Sequence, residues 1–419
     1  MDIEFKWSIE IYWLDYCYST VYWIKFFTFR KERLRPGKVK MKDTLTSIFT
    51  HSLFRNRIGS DSIGKHQAAA INWLKNAHDS THDDGVGYGY YLRGLPFNAH
   101  GLGWRPSYVE TSGYIIETFL DIAKTYDDFD AAQRAERIGR WLLTVQNEDG
   151  SFSNVSMETS NGIIFDTGQV LFGLLKCFME TDDRIFQLSA EKAAYWLVQK
   201  LDTDGAWRQN THLGQIHTYN TRVAWAMLEY CKIFQNEEIQ EAARKNLYWA
   251  ITQQTEYGLF ENCSFKEGQD PSTHTIAYAI RGLFEGGILL GDDHVLSASL
   301  KAANRMVQYV DKVGFIPGRI SVTGDPHKAY SCLTGNCQLA IIWFKMSEYF
   351  QEPKLRNTAN TALNYVLSVH NIEARNPNTK GGVKGSHPIW GGYTPLAYPN
   401  WAAKFLIDAI LFKEAVPSP

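Results

Sequence analysis

Residues 137–152 read RIGRWLLTVQNEDGSF, and 55 residues further on 192–207 read KAAYWLVQKLDTDGAW. Each stretch opens with alanines, glycine and apolar residues at helical spacing, with Trp141 and Trp196 in the same register. Such an apolar stripe marks an amphipathic helix. Each then closes on Asp-Gly followed by an aromatic, where glycine supplies the positive φ of a helix end or turn. Working outward, the same unit returns with Trp73, Trp249, Met306 and Tyr365 at the Trp141 position. An acidic pair punctuates it at Asp127-Asp128, Asp182-Asp183, Glu237-Glu238 and Asp292-Asp293, each 55 residues after the last, then at Glu352-Pro353 after 60. Self-similarity at a fixed period of this length is the mark of a repeat architecture.

Each unit carries a second helix that is apolar nearly all round: ETSGYIIETFLDIAKTY, DTGQVLFGLLKCF, NTRVAWAMLEYCKIF, HTIAYAIRGLFEGG, TGNCQLAIIWFKMSEYF and NWAAKFLIDAILF. Helices of that kind belong to an interior layer. Six amphipathic helices outside six apolar ones satisfy both sets of faces. The expectation is an all-α fold, an (α/α)6 toroid over residues 61–419 closed around a central cavity. Residues 1–60 form an aromatic and basic N-terminal extension.

Lys plus Arg (43) nearly balance Asp plus Glu (45), for a net charge of −2. That argues against a nucleic-acid partner, which would call for a basic footprint. Six cysteines are scattered, with no CxxC pair, so neither a zinc ribbon nor a disulfide scaffold is expected. Their apolar settings suit a reducing compartment and a cytoplasmic protein. Between Phe5 and Phe29 lie eleven aromatics, followed by the basic run Arg30, Lys31, Arg33, Arg35, Lys38, Lys40 and Lys42. The order is wrong for a secretory signal, and Asp15 and Lys25 interrupt any spanning helix. Residues 5–42 read either as an interfacial segment for an anionic inner-membrane surface or as a helix packed across the outside of the ring.

The two opening stretches resemble the aromatic, Gln and Gly-aromatic repeat of squalene–hopene-type cyclases and protein prenyltransferase β-subunits. As architecture this likeness covers roughly residues 65–412. The same toroid is shared by six-hairpin glycosidases, polysaccharide lyases and uronyl epimerase domains, so the fold leaves the chemistry open. The stretches GWRPSYVETSGYIIETF (103–119) and PIWGGYTPLAYPNWAAKFLIDA (388–409) are also similar to toroid proteins associated with bacterial surface-polysaccharide synthesis. That likeness implies a carbohydrate substrate.

In such a ring the inner helices' N-termini and the loops before them converge on one mouth, where their positive ends favour anions. The residues there are Tyr108 and Glu110; Asp166; His217, Tyr219 and Arg222; His274; Thr334 and Asn336; Asn400 and Lys404. For Asp166, Thr334 and Asn400 simple helix capping competes with a functional role. Histidine is a mediocre cap, and His217 and His274 hold the same repeat position. The loops add Arg105, Lys384, His387, Trp390 and Tyr393, whose aromatic faces and polar tips suit pyranose rings.

Four functions compete on these residues. Removal of a proton by His217, His274 or Tyr219, with cations and amides steadying the anion formed, would make a lyase or epimerase of uronic-acid polysaccharides or their precursors. This is the leading expectation. Glu110 and Asp166 would instead serve a glycoside hydrolase. A terpenoid cyclase needs an Asp-x-Asp-Asp acid, and Ile164-Phe165-Asp166-Thr167 has one Asp; Asp325-Pro326-His327 with Cys332 only loosely echoes a prenyltransferase zinc site. The fourth is a glycan-binding subunit without catalysis. No metal and no cofactor is expected.

Overall fold

The computed structural model describes residues 62–92, 103–153 and 161–415. They form twelve α-helices: α1 Ile63–Asp79, α2 Val109–Tyr126, α3 Phe129–Val145, α4 Ile164–Thr181, α5 Arg184–Gln199, α6 Thr221–Phe234, α7 Glu237–Thr252, α8 Thr273–Leu290, α9 Asp293–Val307, α10 Leu333–Tyr349, α11 Pro353–Val369 and α12 Asn400–Ala415. The membrane-contact expectation for residues 5–42 falls outside the described residues. Among the described residues no helix is long and apolar enough to cross a membrane.

Helices follow one another through a repeated two-residue hinge. Asp127, Asp182, Gln235, Gly291 and Gln351 take the left-handed conformation that ends an inner helix. The next residue begins the outer helix: the side chains of Asp128, Asp183, Asn236 and Asp292 accept hydrogen bonds from first-turn amides. These N-caps satisfy donors that the helix itself leaves orphaned. The third punctuation is thereby corrected. Glu237 and Glu238 lie inside the first turn of α7, and Gln235-Asn236 make the hinge.

The even-numbered helices pack in sequence, α2 on α4, then α6, α8, α10 and α12, and α12 returns to α2. That closes the inner ring. Each odd-numbered helix lies outside its pair and buries the repeat residue; Trp73, Trp141, Trp196, Trp249, Met306 and Tyr365 are all buried. The repeat glutamines tie one unit to the next. Gln146 Nε2 donates to Gly150 O and to Ser189 O of α5, and Gln254 Nε2 donates to Gly258 O and to Ala298 O of α9.

The seam between first and last repeats has its own clasp. Strand β1 (Gly89–Tyr91) pairs antiparallel with β2 (Gly103–Trp104) on one side and with Ala397–Pro399 on the other. Asn400 Nδ2 donates to Gly87 O and to Thr111 Oγ1, and Thr118 Oγ1 donates to Asp408 Oδ1.

The expected central cavity is corrected. Phe165 of α4 lies 5.1 Å from Tyr278 of α8, across the ring rather than along it, and Tyr278 lies 6.2 Å from Phe405 of α12. Rings from three alternate inner helices therefore meet inside the ring. The N-terminal ends of the inner helices form the bowl of the toroid, and there Tyr88, Tyr108, Glu110 and Phe265 are only partly buried.

Candidate functional site: an acid pair above a plugged ring

Glu110 is the second residue of α2 and Asp166 the third of α4, so adjacent inner helices bring two carboxyl groups to the bowl. Neither is a cap: Tyr108 and Ile163 hold those positions. The Tyr108 hydroxyl donates a 2.8 Å hydrogen bond to Glu110 Oε2. Asp166 is buried, and its Oδ2 has no hydrogen-bond partner among the described residues.

Burial raises the Glu110 carboxyl to about 7, against the opposing pull of the Tyr108 hydroxyl and the Arg222 charge. Asp166 is driven well above the usual carboxylate range, first by burial and then by the negative charge of Glu110. Two carboxyls in one site resist carrying two charges, and the less supported one keeps its proton. Arg222 and Tyr108 both favour charge on Glu110. Asp166 is the protonated member.

Around the pair the walls are aromatic. Tyr88 meets Tyr108 at 4.9 Å and Trp401 at 4.7 Å, both edge-on. Trp401 Nε1 donates to the Tyr393 hydroxyl at 2.8 Å, and the Tyr393 ring lies 5.1 Å from His274 and 6.2 Å from Phe265. His274 has its Nδ1 2.9 Å from Gln338 Oε1, and burial lowers its pKa to about 3. A neutral imidazole that donates from Nδ1 keeps its lone pair on Nε2.

The other sequence-predicted residues divide. His217 Nδ1 lies 3.1 Å from Ser264 O and Nε2 2.9 Å from His212 O, while its ring stacks on Tyr219 at 4.5 Å. With both nitrogens against main-chain carbonyls it presents no free base, which corrects that expectation. Tyr219 is buried between His217 and the edge of Phe165. Asn336 accepts from Ser331 Oγ and donates to Gly314 O, so its amide is spent on the fold. Asn400 uses its amide nitrogen at the seam, and Lys404 forms a buried ion pair with Asp408. These contacts are internal to the fold, in place of the substrate contacts expected. Lys384 Nζ lies 3.1 Å from His387 Nδ1, both buried, and burial lowers the lysine to about 7. Trp390 is half exposed, and Arg105 stacks over Tyr91 at 4.7 Å.

Sequence reading missed the layer beneath the acids. Tyr114, Gln169 and Tyr278 stand four, three and four residues after Glu110, Asp166 and His274, one helical turn deeper on the same inner faces. That spacing was the signal. Two clefts lie elsewhere: one of about 350 Å³ on the outer wall by Asp149, Lys192 and Trp196, and one of about 310 Å³ by Phe284, Lys345 and Phe412 at the far end of the ring. Neither touches the acid pair. Among the described residues no group of three or more His, Cys, Asp or Glu is placed to hold a metal ion.

Residues 56–285, more than half the chain, match the family model described as squalene–hopene cyclase C-terminal domain. Among solved structures, an unsaturated glucuronyl hydrolase specific for heparin superposes with TM-score 0.66 at 15% identity, covering 85% of this chain and 98% of its own. Cellobiose 2-epimerase from Bacillus thermoamylovorans gives 0.65 at 12%, covering 90% and 100%, and a polysaccharide lyase gives 0.61 at 10%, covering 86% and 99%. At such identities the likeness is one of fold. A search among curated proteins finds no match.

Proposed function

This chain belongs to the family of the squalene–hopene cyclase C-terminal domain, and within that toroid we propose a carbohydrate-active enzyme that uses Glu110 and Asp166 for acid-assisted cleavage of a sugar bond. The observation that carries the reading is the asymmetric pair: a buried, protonated Asp166 beside a Glu110 whose charge is supported by Tyr108 and Arg222. Asp166 gives its proton to the leaving oxygen. Glu110, as carboxylate, steadies the oxocarbenium-like centre or takes a proton from the attacking water. The water replaces the proton spent, so the step balances.

A polyene substrate fits this site poorly. A guanidinium among the axial rings repels a carbocation travelling down the same axis. Half-buried tyrosines beside carboxyl groups favour a ring with apolar C–H faces and a hydroxyl rim, and hydrolases, an epimerase and a lyase of carbohydrates share the fold. The finer substrate we assign is a uronic-acid-containing polysaccharide or its precursor, with Arg105, Tyr108, Trp390 and Tyr393 as binding residues. Residues 5–42, in the extension 1–60 that precedes the ring, would bring the cytoplasmic enzyme to an anionic membrane surface. Flotation with anionic vesicles tests that assignment.

One observation supports proton abstraction instead: His274, pinned by Gln338 at Nδ1, keeps a neutral Nε2. Incubation with a panel of acidic glycans separates the chemistries. New reducing ends lost in Asp166→Asn support hydrolysis. A new double bond, or solvent deuterium in unbroken sugar, lost in His274→Gln supports the lyase or epimerase. Glycan binding with neither signal overturns the enzyme reading in favour of a binding subunit.

A further inference from the structure

Arg222 sits on the axis of the ring. Its Cζ is 5.6 Å from the ring centroid of Tyr114 on α2, 5.2 Å from Phe172 on α4, 5.1 Å from Tyr278 on α8 and 5.9 Å from Phe405 on α12. Four inner helices besides its own thus surround one guanidinium. It is 1% exposed.

Three other cations of the inner helices have carboxylates. Arg281 and Lys345 share Glu285, and Lys404 pairs with Asp408. Among the described residues Arg222 has no ion pair; its Nε donates to the neutral Gln169 Oε1 at 2.5 Å. Its Nη1 has no partner, and neither have Gln169 Nε2 or the hydroxyls of Tyr114 and Tyr278. The two hydroxyls lie close enough to interact with each other, and Tyr278 also lies near Gln338, yet neither makes a well-aligned hydrogen bond. All four groups can donate. Buried polar atoms in folded proteins are nearly always satisfied, and a buried charge with no directly paired counter-charge is costly; Glu110 feels the Arg222 charge but forms no ion pair with it. Aromatic faces offset part of that cost. Water would satisfy the hydroxyls but not the charge.

We propose that the cluster of unpartnered donors around Arg222 binds a small monovalent anion through Arg222 Nη1, Gln169 Nε2 and the Tyr114 and Tyr278 hydroxyls. A free halide and a substrate carboxylate share this chemistry. The carboxylate source rests on the acidic-sugar reading above; the donor cluster itself does not. Negative charge at this point also opposes ionisation of the acids above it, so anion binding moves the pH limb of the acid pair upward.

The test uses the full chain in a chloride-free sulfate buffer at constant ionic strength. Chloride or bromide is added while the thermal midpoint and tryptophan fluorescence are followed, Trp225 lying 5.1 Å from the guanidinium. A saturable rise in Tm on the order of 2 °C or more is expected. It should vanish in Arg222→Met and weaken in Tyr278→Phe and Gln169→Leu, of which Tyr278→Phe keeps the ring and so the packing. Parallel titrations with glucuronate and glucose assign the source. A response to halide supports a free anion, and a response to glucuronate alone supports the substrate carboxylate. No saturable shift with halide or glucuronate, or shifts indifferent to all three substitutions, overturns the proposal. Turnover is not the readout, so an Asp166→Asn protein that has lost activity but keeps the anion shift fails the catalytic reading and leaves this one standing.

Discussion

The Tyr108 hydroxyl donates to Glu110 Oε2 across 2.8 Å, from the residue that caps α2 to one in its first turn. This contact belongs to the charged state of Glu110, since a carboxylate is the better acceptor. Tyr108→Phe removes it and leaves the ring. The Glu110 pKa, already raised to about 7 by burial, then climbs further. The acidic limb of the pH–rate profile should move up by about one unit, the shift expected for one charge-assisted bond. A profile that does not move would detach Tyr108 from the acid pair.

Asp166 trades stability for chemistry. Its folded-state pKa is raised, so the folded chain holds a proton that the unfolded chain releases above the ordinary Asp value. Its contribution is therefore full below the ordinary Asp value and is lost as pH rises from there toward the raised folded-state value. Asp166→Asn is neutral at every pH and nearly the same shape. It should raise Tm at pH 8 relative to the parent and match it near pH 4, while turnover falls by about 10²–10⁴. Thermal melts at the two pH values with paired activity assays check both halves.

The fold was open to a reader of the sequence because its signals are local. A helix stripe, an Asp-Gly turn and a left-handed hinge each need only a few neighbouring residues. Even the error at Glu237-Glu238 is instructive: acidity was read where cap chemistry decides, and Gln235-Asn236 perform the turn without a charge. The site was only half open. Glu110 and Asp166 stood out at helix starts. Tyr114 and Tyr278 read as ordinary core because nothing local says which face of an inner helix meets the axis. His217 failed for a different reason: two loop carbonyls, from His212 and Ser264, close on its nitrogens. Contacts made by separate loops leave no periodic trace.

His66 and His370 join the first and last outer helices at the ring seam, Nδ1 to Nδ1 at 3.0 Å, with His370 Nε2 donating to Gly381 O. Both rings are neutral. Burial lowers both pKa values, and the charge of His66 adds to bring His370 to about 3. The unfolded chain takes up protons below about 6.5 that the folded pair refuses. Stability is thus present above that pH and drains away as pH falls toward the folded values, by up to ~1.4 kcal/mol per pH unit for each buried histidine. The double substitution His66→Asn, His370→Asn should flatten the fall in Tm between pH 6 and 4. An equally steep fall would place the acid lability elsewhere.

Glycines of one backbone conformation should differ by what surrounds them. Gly205 (φ +92°), Gly314 (φ +89°) and Gly291 (φ +61°) are all left-handed. A Cβ on Gly205 would lie 2.4 Å from the Lys245 carbonyl oxygen, and one on Gly314 only 2.1 Å from that of Thr361. Both oxygens belong to the next outer helix, so the chain passes against it where only a hydrogen fits. At Gly291 a Cβ meets nothing within 4 Å. Gly291→Ala should then cost about 1–2 kcal/mol, the left-handed penalty alone. Gly205→Ala and Gly314→Ala carry that penalty plus a clash with main chain that cannot rotate away, and should lose roughly 3 kcal/mol or more, within the range of backbone strain added to overpacking. Urea midpoints of the three variants decide it: equal losses would mean that conformation alone, and not the approach of successive repeats, requires glycine at these turns.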